Sequence, residues 1–148
     1  MNIILDSDVL IGHFRRGTET ELLSQLADRG RWHMSSVVAM ELRAGCAAKS
    51  DVRSLEKFFR PFDRSGRIVY PNHEMWIRAG SVLADLGRRF AVEPSRRRTM
   101  SNDTLIALSA VSIGAAVVTR NARDFALLAR AIPLIWFGSV EDTLDAMR

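Results

Sequence analysis

Cysteine, lysine and proline are all scarce in this 148-residue chain, which has one cysteine, two lysines among 21 basic residues, and four prolines. A lone Cys46 permits no internal disulfide, so the fold must rest on a buried core, and a reducing cytoplasm is the expected compartment. With no second cysteine or histidine near it in sequence, Cys46 reads as a small buried hydrophobe, not a metal ligand. Long apolar runs are missing too. None approaches the ~20 residues that a membrane span needs. The N-terminus places Asp6 and Asp8 where a signal peptide would carry base, so neither secretion nor membrane contact is expected. The three histidines, His13, His33 and His73, share no spacing and read as ordinary residues. Repeats, low-complexity tracts and linkers are likewise absent from the sequence.

What is present suits an ordinary globular chain. Its length fits one domain over residues 1–148, enough to bury roughly two-thirds of the unfolded surface without staples. Apolar residues make up 47% and charged residues 26%, the proportions of a compact water-soluble fold. The net charge is +4, the isoelectric point is about 10.2, and arginine supplies all the basic side chains except Lys49 and Lys57. Arginine's planar fork suits phosphate, so a polyanionic partner is suggested. A GC-rich genome favouring arginine codons accounts for the same ratio, so basicity permits a nucleic-acid partner without requiring one.

Strand-like and helix-like segments alternate along the chain. Ile3 to Leu5 is a short apolar run of the kind buried on both faces of a parallel sheet. Further strands are expected at Trp32–Ser35, Arg67–Tyr70, Ala115–Thr119 and Leu134–Phe137. Helices are expected at Asp8–Phe14, Thr18–Ala27, Val37–Ala48, Val52–Phe59 (stopping before Pro61) and Asn72–Phe90. The Arg96-Arg97-Arg98 run falls in a loop after Pro94, and Ser101 is expected to cap a helix that Gly114 ends. Two more helices, Asp124–Ala131 and Val140–Met147, complete the alternation. This order argues an α/β fold in which helices sandwich a mostly parallel sheet.

Four acids stand at the edges of these elements. Asp6 ends the first strand, where open α/β sheets meet their ligands. Glu41 falls on the helical face shared by Val38, Leu42 and Gly45, and a carboxylate inside an apolar stripe must be paired or bind metal. Asp103 lies in the first turn of its helix above Ile106, Ala107, Ala110 and Gly114, small enough to let that helix approach a sheet closely. Asp124 follows the Ala115–Thr119 strand by five residues. Each has a plainer reading. Asp103 can serve the positive end of its helix, Asp124 can join Asn121 in a capping arrangement, and Glu41 can pair with Arg43 or another arginine. Only a shared site explains all four together. Hard oxygen donors without histidine or cysteine favour Mg²⁺ or Mn²⁺ over zinc.

The segments carrying these acids resemble the PIN-domain family, and within it the VapC-like toxins of type II toxin–antitoxin systems. They are Leu5-Asp6-Ser7-Asp8-Val9-Leu10-Ile11, Ser36-Val37-Val38-Ala39-Met40-Glu41-Leu42-Arg43-Ala44-Gly45, Asn102-Asp103-Thr104-Leu105-Ile106-Ala107 and Val117-Val118-Thr119-Arg120-Asn121-Ala122-Arg123-Asp124-Phe125. Together they span almost the whole chain in the family's order. The resemblance implies a three-layer α/β/α PIN-like domain with Asp6, Glu41, Asp103 and Asp124 as catalytic, metal-binding acids. Family members place the last acid at either the Asn121 or the Asp124 position, so Asn121 remains a candidate, with Thr119 as a hydrogen-bonding neighbour. One departure is Asp8, where the family commonly has asparagine. The extra charge raises the demand for a cation.

The activity so implied is hydrolysis of RNA by an endoribonuclease dependent on one or two Mg²⁺ (or Mn²⁺) ions. Arg15, Arg16, Arg96, Arg97, Arg98, Arg120 and Arg123 are candidates to grip the RNA backbone, and Arg120 and Arg123, beside the fourth acid, are the best placed. Implied partners are a cognate VapB-like antitoxin, able to push an arginine into the acidic site, and a second copy of the chain in a homodimer. Trp32, Trp76 and Trp136 are candidate interface residues if they prove exposed. Two rival readings remain. Asp6-Ser7-Asp8 also resembles the first motif of haloacid-dehalogenase-type phosphatases, but the lysine they need after the second motif is missing, since Lys49 and Lys57 both precede Thr119. The other rival is a PIN-like module that binds RNA or protein without cutting.

Overall fold

The computed structural model describes all of residues 1–148. Its centre is a five-stranded sheet in which every pairing is parallel. The strands are β1 (Asn2–Leu5), β2 (Arg31–Ser35), β3 (Ile68–Val69), β4 (Ala115–Val118) and β5 (Ile135–Phe137), in the spatial order β3-β2-β1-β4-β5. β1 is therefore the central strand. The chain builds outward from it to β3, then returns to lay β4 on its other side. That reversal opens a crevice at the carboxyl ends of β1 and β4, the place where such sheets bind ligands.

Burial explains why these residues form strands. Ile3, Ile4 and Leu5 are at most 1% exposed, and all four residues of β4 are buried. A strand covered on both faces must be apolar throughout, and its helices must flank the sheet. Nine do so: α1 (Ser7–Arg16), α2 (Thr20–Arg29), α3 (Ser36–Ala44), α4 (Lys49–Arg64), α5 (His73–Phe90), α6 (Pro94–Thr99), α7 (Ser101–Ser112), α8 (Ala122–Ala131) and α9 (Val140–Ala146). α7 packs on β4 and on α5 and α8, whereas α2 packs on β2 and α9. Ile106, Ala107 and Ala110 are completely buried, so the small-residue face of α7 does let the helix lie close. Gly114 follows the end of α7 at φ +61°, where a side chain would be strained. No helix is long and apolar enough to cross a membrane.

Three expectations are corrected. α4 does not stop before Pro61 but runs through it to Arg64. An interior proline costs about 3 kcal/mol, and here aromatic packing outweighs it. Leu55 and Phe62 are buried, and Trp32 meets Phe58 and Phe62 at ring-centroid distances of 5.7 and 5.3 Å. Pro94 does more than close a helix, because it opens α6 from the first-turn position that prolines favour, and so the arginine run is helical. Ser101 does not cap α7. Met100 holds that position, and the Ser101 hydroxyl donates back to the Arg98 carbonyl at 3.0 Å.

Ile4→Ala in the central strand is expected to cost about 2–5 kcal/mol of stability. Ile135→Ala, on an edge residue 61% exposed, should stay within about 0.5 kcal/mol. Urea unfolding of the two variants checks the contrast, and equal losses would contradict a core centred on β1.

Candidate active site

The site forms where two strand ends meet two helix starts. The Asp6 N–H donates to the Val118 carbonyl at 2.9 Å, extending the β1–β4 ladder by one step and fixing the first acid beside the end of β4. Asp6 then caps α1, its Oδ1 accepting the Ser7 N–H at 2.7 Å. Its Oδ2 accepts the Thr119 hydroxyl at 2.7 Å. Both residues are buried, Asp6 at 4% exposure and Thr119 at 0%. A chain that ends two adjacent parallel strands with aspartate and threonine therefore places carboxylate against hydroxyl without adjustment.

The other acids arrive from helices. Glu41 comes from the second turn of α3, with buried Val38 and Leu42 on its face as expected. Its partner is not Arg43 but Asn102, whose Nδ2 donates to Glu41 Oε1 at 2.9 Å, while Glu41 Oε2 is buried with no partner. Asp103 follows Asn102 in the first turn of α7. Asn121 caps α8, its Oδ1 accepting the Asp124 N–H at 3.4 Å. The Asn121 Nδ2 donates to Asp103 Oδ2 at 2.9 Å and to Asp124 Oδ2 at 3.1 Å. Asn121 is thus a clamp between two carboxylates, its oxygen spent on the cap and its nitrogen turned to the acids. Asp124 adds a carboxylate there, its Oδ2 taken by Asn121 and its Oδ1 by Arg96.

Asp8, the departure from the usual asparagine, sits on the rim. It accepts the Arg120 backbone N–H at 3.0 and 3.2 Å, and the Thr119 hydroxyl lies 3.4 Å away. Its carboxylate therefore ties the loop after β4 to α1. The expected arginines are dispersed. Arg120 pairs with Glu19 at 2.8 Å and lies over Gly12, where an added Cβ would meet its guanidinium at 3.3 Å. Arg15, Arg16, Arg98 and Arg123 are exposed, and Arg97 is half-buried. Arg96 reaches the cluster itself, its Nη2 bound to Asp124 Oδ1 at 2.6 Å. Asn102 and the Arg96 contact are the two site features that the sequence reading missed. Asn102 lay within a quoted motif beside Asp103. The Arg96–Asp124 contact spans 28 residues and left no local trace.

The electrostatics are those of crowded anions. Burial, then the neighbouring Asp8 charge, pushes the Asp6 carboxyl from 3.8 up to about 6, against the opposing bonds from Thr119 and Ser7. Burial, then Asp6, Asp124, Glu41 and Asp8 in that order, pushes Asp103 up to about 7. Burial also raises Asp8. Five carboxylates are thus electrically one group. As the side chains are placed, no three of them close around a common point that would enclose an ion. Their chemistry nevertheless fits a hard divalent cation. The donors are all oxygen, the only ion pair within the cluster is Arg96 on Asp124, and the buried Glu41 Oε2 is left without any donor.

An open parallel sheet with carboxylates gathered over its switch point defines an α/β domain with an acidic ligand crevice. The chain belongs to the PIN-domain family, whose model matches residues 3–131. The fold is shared with VapBC-1 from nontypeable Haemophilus influenzae, at 23% identity and TM-score 0.68, covering 95% of this chain and 99% of that one. It is also shared with VapBC from Salmonella typhimurium bound to DNA, at 24% identity and TM-score 0.67, covering 93% and 97%. VapBC2 from Rickettsia felis, bound to a DNA fragment from its promoter, matches at 22% identity and TM-score 0.67 over 93% and 98%. No curated protein matches by sequence. The haloacid-dehalogenase reading is set aside by the family assignment. The site agrees, because Asp8, the second acid of that motif, is spent on a backbone N–H.

The raised acids predict a pH dependence for the metal-free protein. Asp6 and Asp103 bind protons more readily folded than at the unfolded value of 3.8, so their contribution to stability is complete below that value. It is lost as pH rises through about 6 and about 7. His33, held low by burial and by Arg67 and Arg31, works in the opposite direction as pH falls. Asp103→Asn should therefore raise the melting temperature at pH 8 and raise it distinctly less at pH 5. A variant that melts below the parent at pH 8 would show that the Asp103 charge is already compensated.

Proposed function

We propose that this chain is an endoribonuclease toxin of the VapC type, hydrolysing RNA phosphodiester bonds with Mg²⁺ or Mn²⁺ and held in check by a VapB-like antitoxin. The observation that carries the reading is the acid cluster at the β1/β4 switch point, with Asp6 buried, Glu41 Oε2 unpartnered and Asp103 pushed to about 7. Asp6, Glu41, Asp103 and Asp124 are the residues that would hold the metal. A bound divalent ion supplies positive charge to a scissile phosphate and makes a water molecule more acidic.

The chain's own residues do the rest. Thr119 and the Ser7 N–H fix both oxygens of Asp6, so that this carboxylate cannot turn when charge arrives. Asn102 leaves one oxygen of Glu41 for the site, and Asn121 holds Asp103 and Asp124 together against their repulsion. Overall, water bonds to phosphorus as the bond from phosphorus to the 3′-oxygen breaks. The products are a 5′-phosphate and a 3′-hydroxyl, and no side-chain nucleophile is required. Arg15, Arg16 and Arg123, all exposed, are offered as contacts to the RNA backbone.

Partner contacts follow from apolar surface near the site. A groove of about 260 Å³ between α1, α3 and α4 is lined by Ile11, Phe14, Leu42, Cys46 and Leu55 and reaches Glu41 at one end. An antitoxin segment laid along it would arrive at the acids. Cys46 is half-buried there, more open than the sequence suggested. Trp32 is core and Trp136 half-buried, but Trp76 is 56% exposed, and Ile77 next to it in α5 is exposed too. That face of α5 is the surface proposed for a second copy of the chain.

Purified protein should cut a total-RNA pool into discrete fragments with 5′-phosphate ends in Mg²⁺ or Mn²⁺, and cut nothing in EDTA. Asp6→Asn should abolish cleavage. Thr119→Val should lower it by about 10–100-fold, the usual cost of losing a partner that only orients a ligand. Metal-independent cleavage, or an Asp6→Asn variant as active as the parent, would overturn the proposal.

A further inference from the structure

Arg96 stands apart from every other arginine of the chain. Four ion pairs occur in the structure, and only Arg96–Asp124 touches the acid cluster. It is also the most enclosed of the four, with the two side chains 24% and 16% exposed. α6, which carries Arg96, is pinned from behind. The Arg97 guanidinium lies over Gly87 of α5, where an added Cβ would come within 2.8 Å of Arg97 Cζ. Arg96 is therefore presented to the cluster by a seated helix. Its carboxylate partner is held from the other side by the Asn121 amide at 3.1 Å.

We propose that Arg96 is a tethered counter-cation of the acid cluster, which a divalent ion must displace from Asp124, and which then turns to a phosphate of the substrate. The inference deepens the nuclease reading and rests on it. Two cations on one half-buried carboxylate repel each other, so ion binding and the Arg96–Asp124 bond compete. A released guanidinium at the edge of the site is suited by shape to two phosphate oxygens.

The test compares wild type, Arg96→Gln and Arg96→Lys as full-length protein. Mn²⁺ binding is followed by the electron paramagnetic resonance of the free ion, with thermal melts to confirm folding. Removing a competing cation should tighten Mn²⁺ binding on the order of tenfold in Arg96→Gln, with Arg96→Lys between the two. The KM for RNA should rise in Arg96→Gln with a smaller change in kcat. A pair that merely braces Asp124 predicts the reverse, because the freed carboxylate would bind Mn²⁺ more weakly. Unchanged or weaker Mn²⁺ binding in a folded Arg96→Gln protein overturns the proposal. Should wild type bind Mn²⁺ but cut no RNA, the nuclease reading falls, and tighter binding in Arg96→Gln still supports the displacement.

Discussion

Like charge held at close quarters is the constraint on which the rest of the structure depends. Asp6, Asp8, Glu41, Asp103 and Asp124 influence one another's protonation across a single crevice. Two such charges in contact repel by about 4 kcal/mol at the effective dielectric of a protein surface. Each hydrogen bond to a charged group returns only about 1.5–3 kcal/mol. The donors Thr119, Asn102 and Asn121 can therefore position the acids but cannot neutralise them. Burial first, and then this residual repulsion, push Asp6 and Asp103 up to about 6 and about 7. Such a site persists because the strands beneath it are among the most deeply buried parts of the chain.

That arrangement relates the scaffold to its chemistry. Central β1 and its neighbour β4 end side by side, and the first residue past each becomes part of the site, Asp6 from one and Thr119 from the other. α3 and α7 then bring Glu41 and Asp103, each from a face whose apolar neighbours are anchored in the core. The cap of α8 does two jobs with one side chain, since Asn121 starts the helix with its oxygen and bridges two acids with its nitrogen. Membership of the PIN-domain family agrees with this architecture. At identities of 22–24%, the VapBC structures speak for the fold, and the nuclease assignment is argued from the acids.

Much of this was legible in the sequence because it is local. Short strand-like runs of three to five residues marked the five strands, and the acids lay at their ends or on helical faces where short-range periodicity shows them. What escaped was decided by contacts between distant segments. Pro61 would normally stop a helix, but packing of Phe62 and Phe58 on Trp32 carries α4 past it. Arg43 was the near candidate for Glu41, yet Asn102, 61 residues away, is the partner. Arg96 looked like one of three interchangeable surface charges until α6 proved to be a helix that sends it alone to Asp124.

The central claim is that the carboxylates at the β1/β4 switch point form a divalent-cation site. Crystals of the protein soaked in Mn²⁺ and recorded at a wavelength where manganese scatters anomalously test it most directly. The account predicts an anomalous peak within bonding distance of Asp6 and at least one of Glu41, Asp103 and Asp124, with Arg96 swung away wherever Asp124 is a ligand. Full-occupancy manganese elsewhere on the protein, with the acid cluster unchanged and Arg96 still on Asp124, would contradict it.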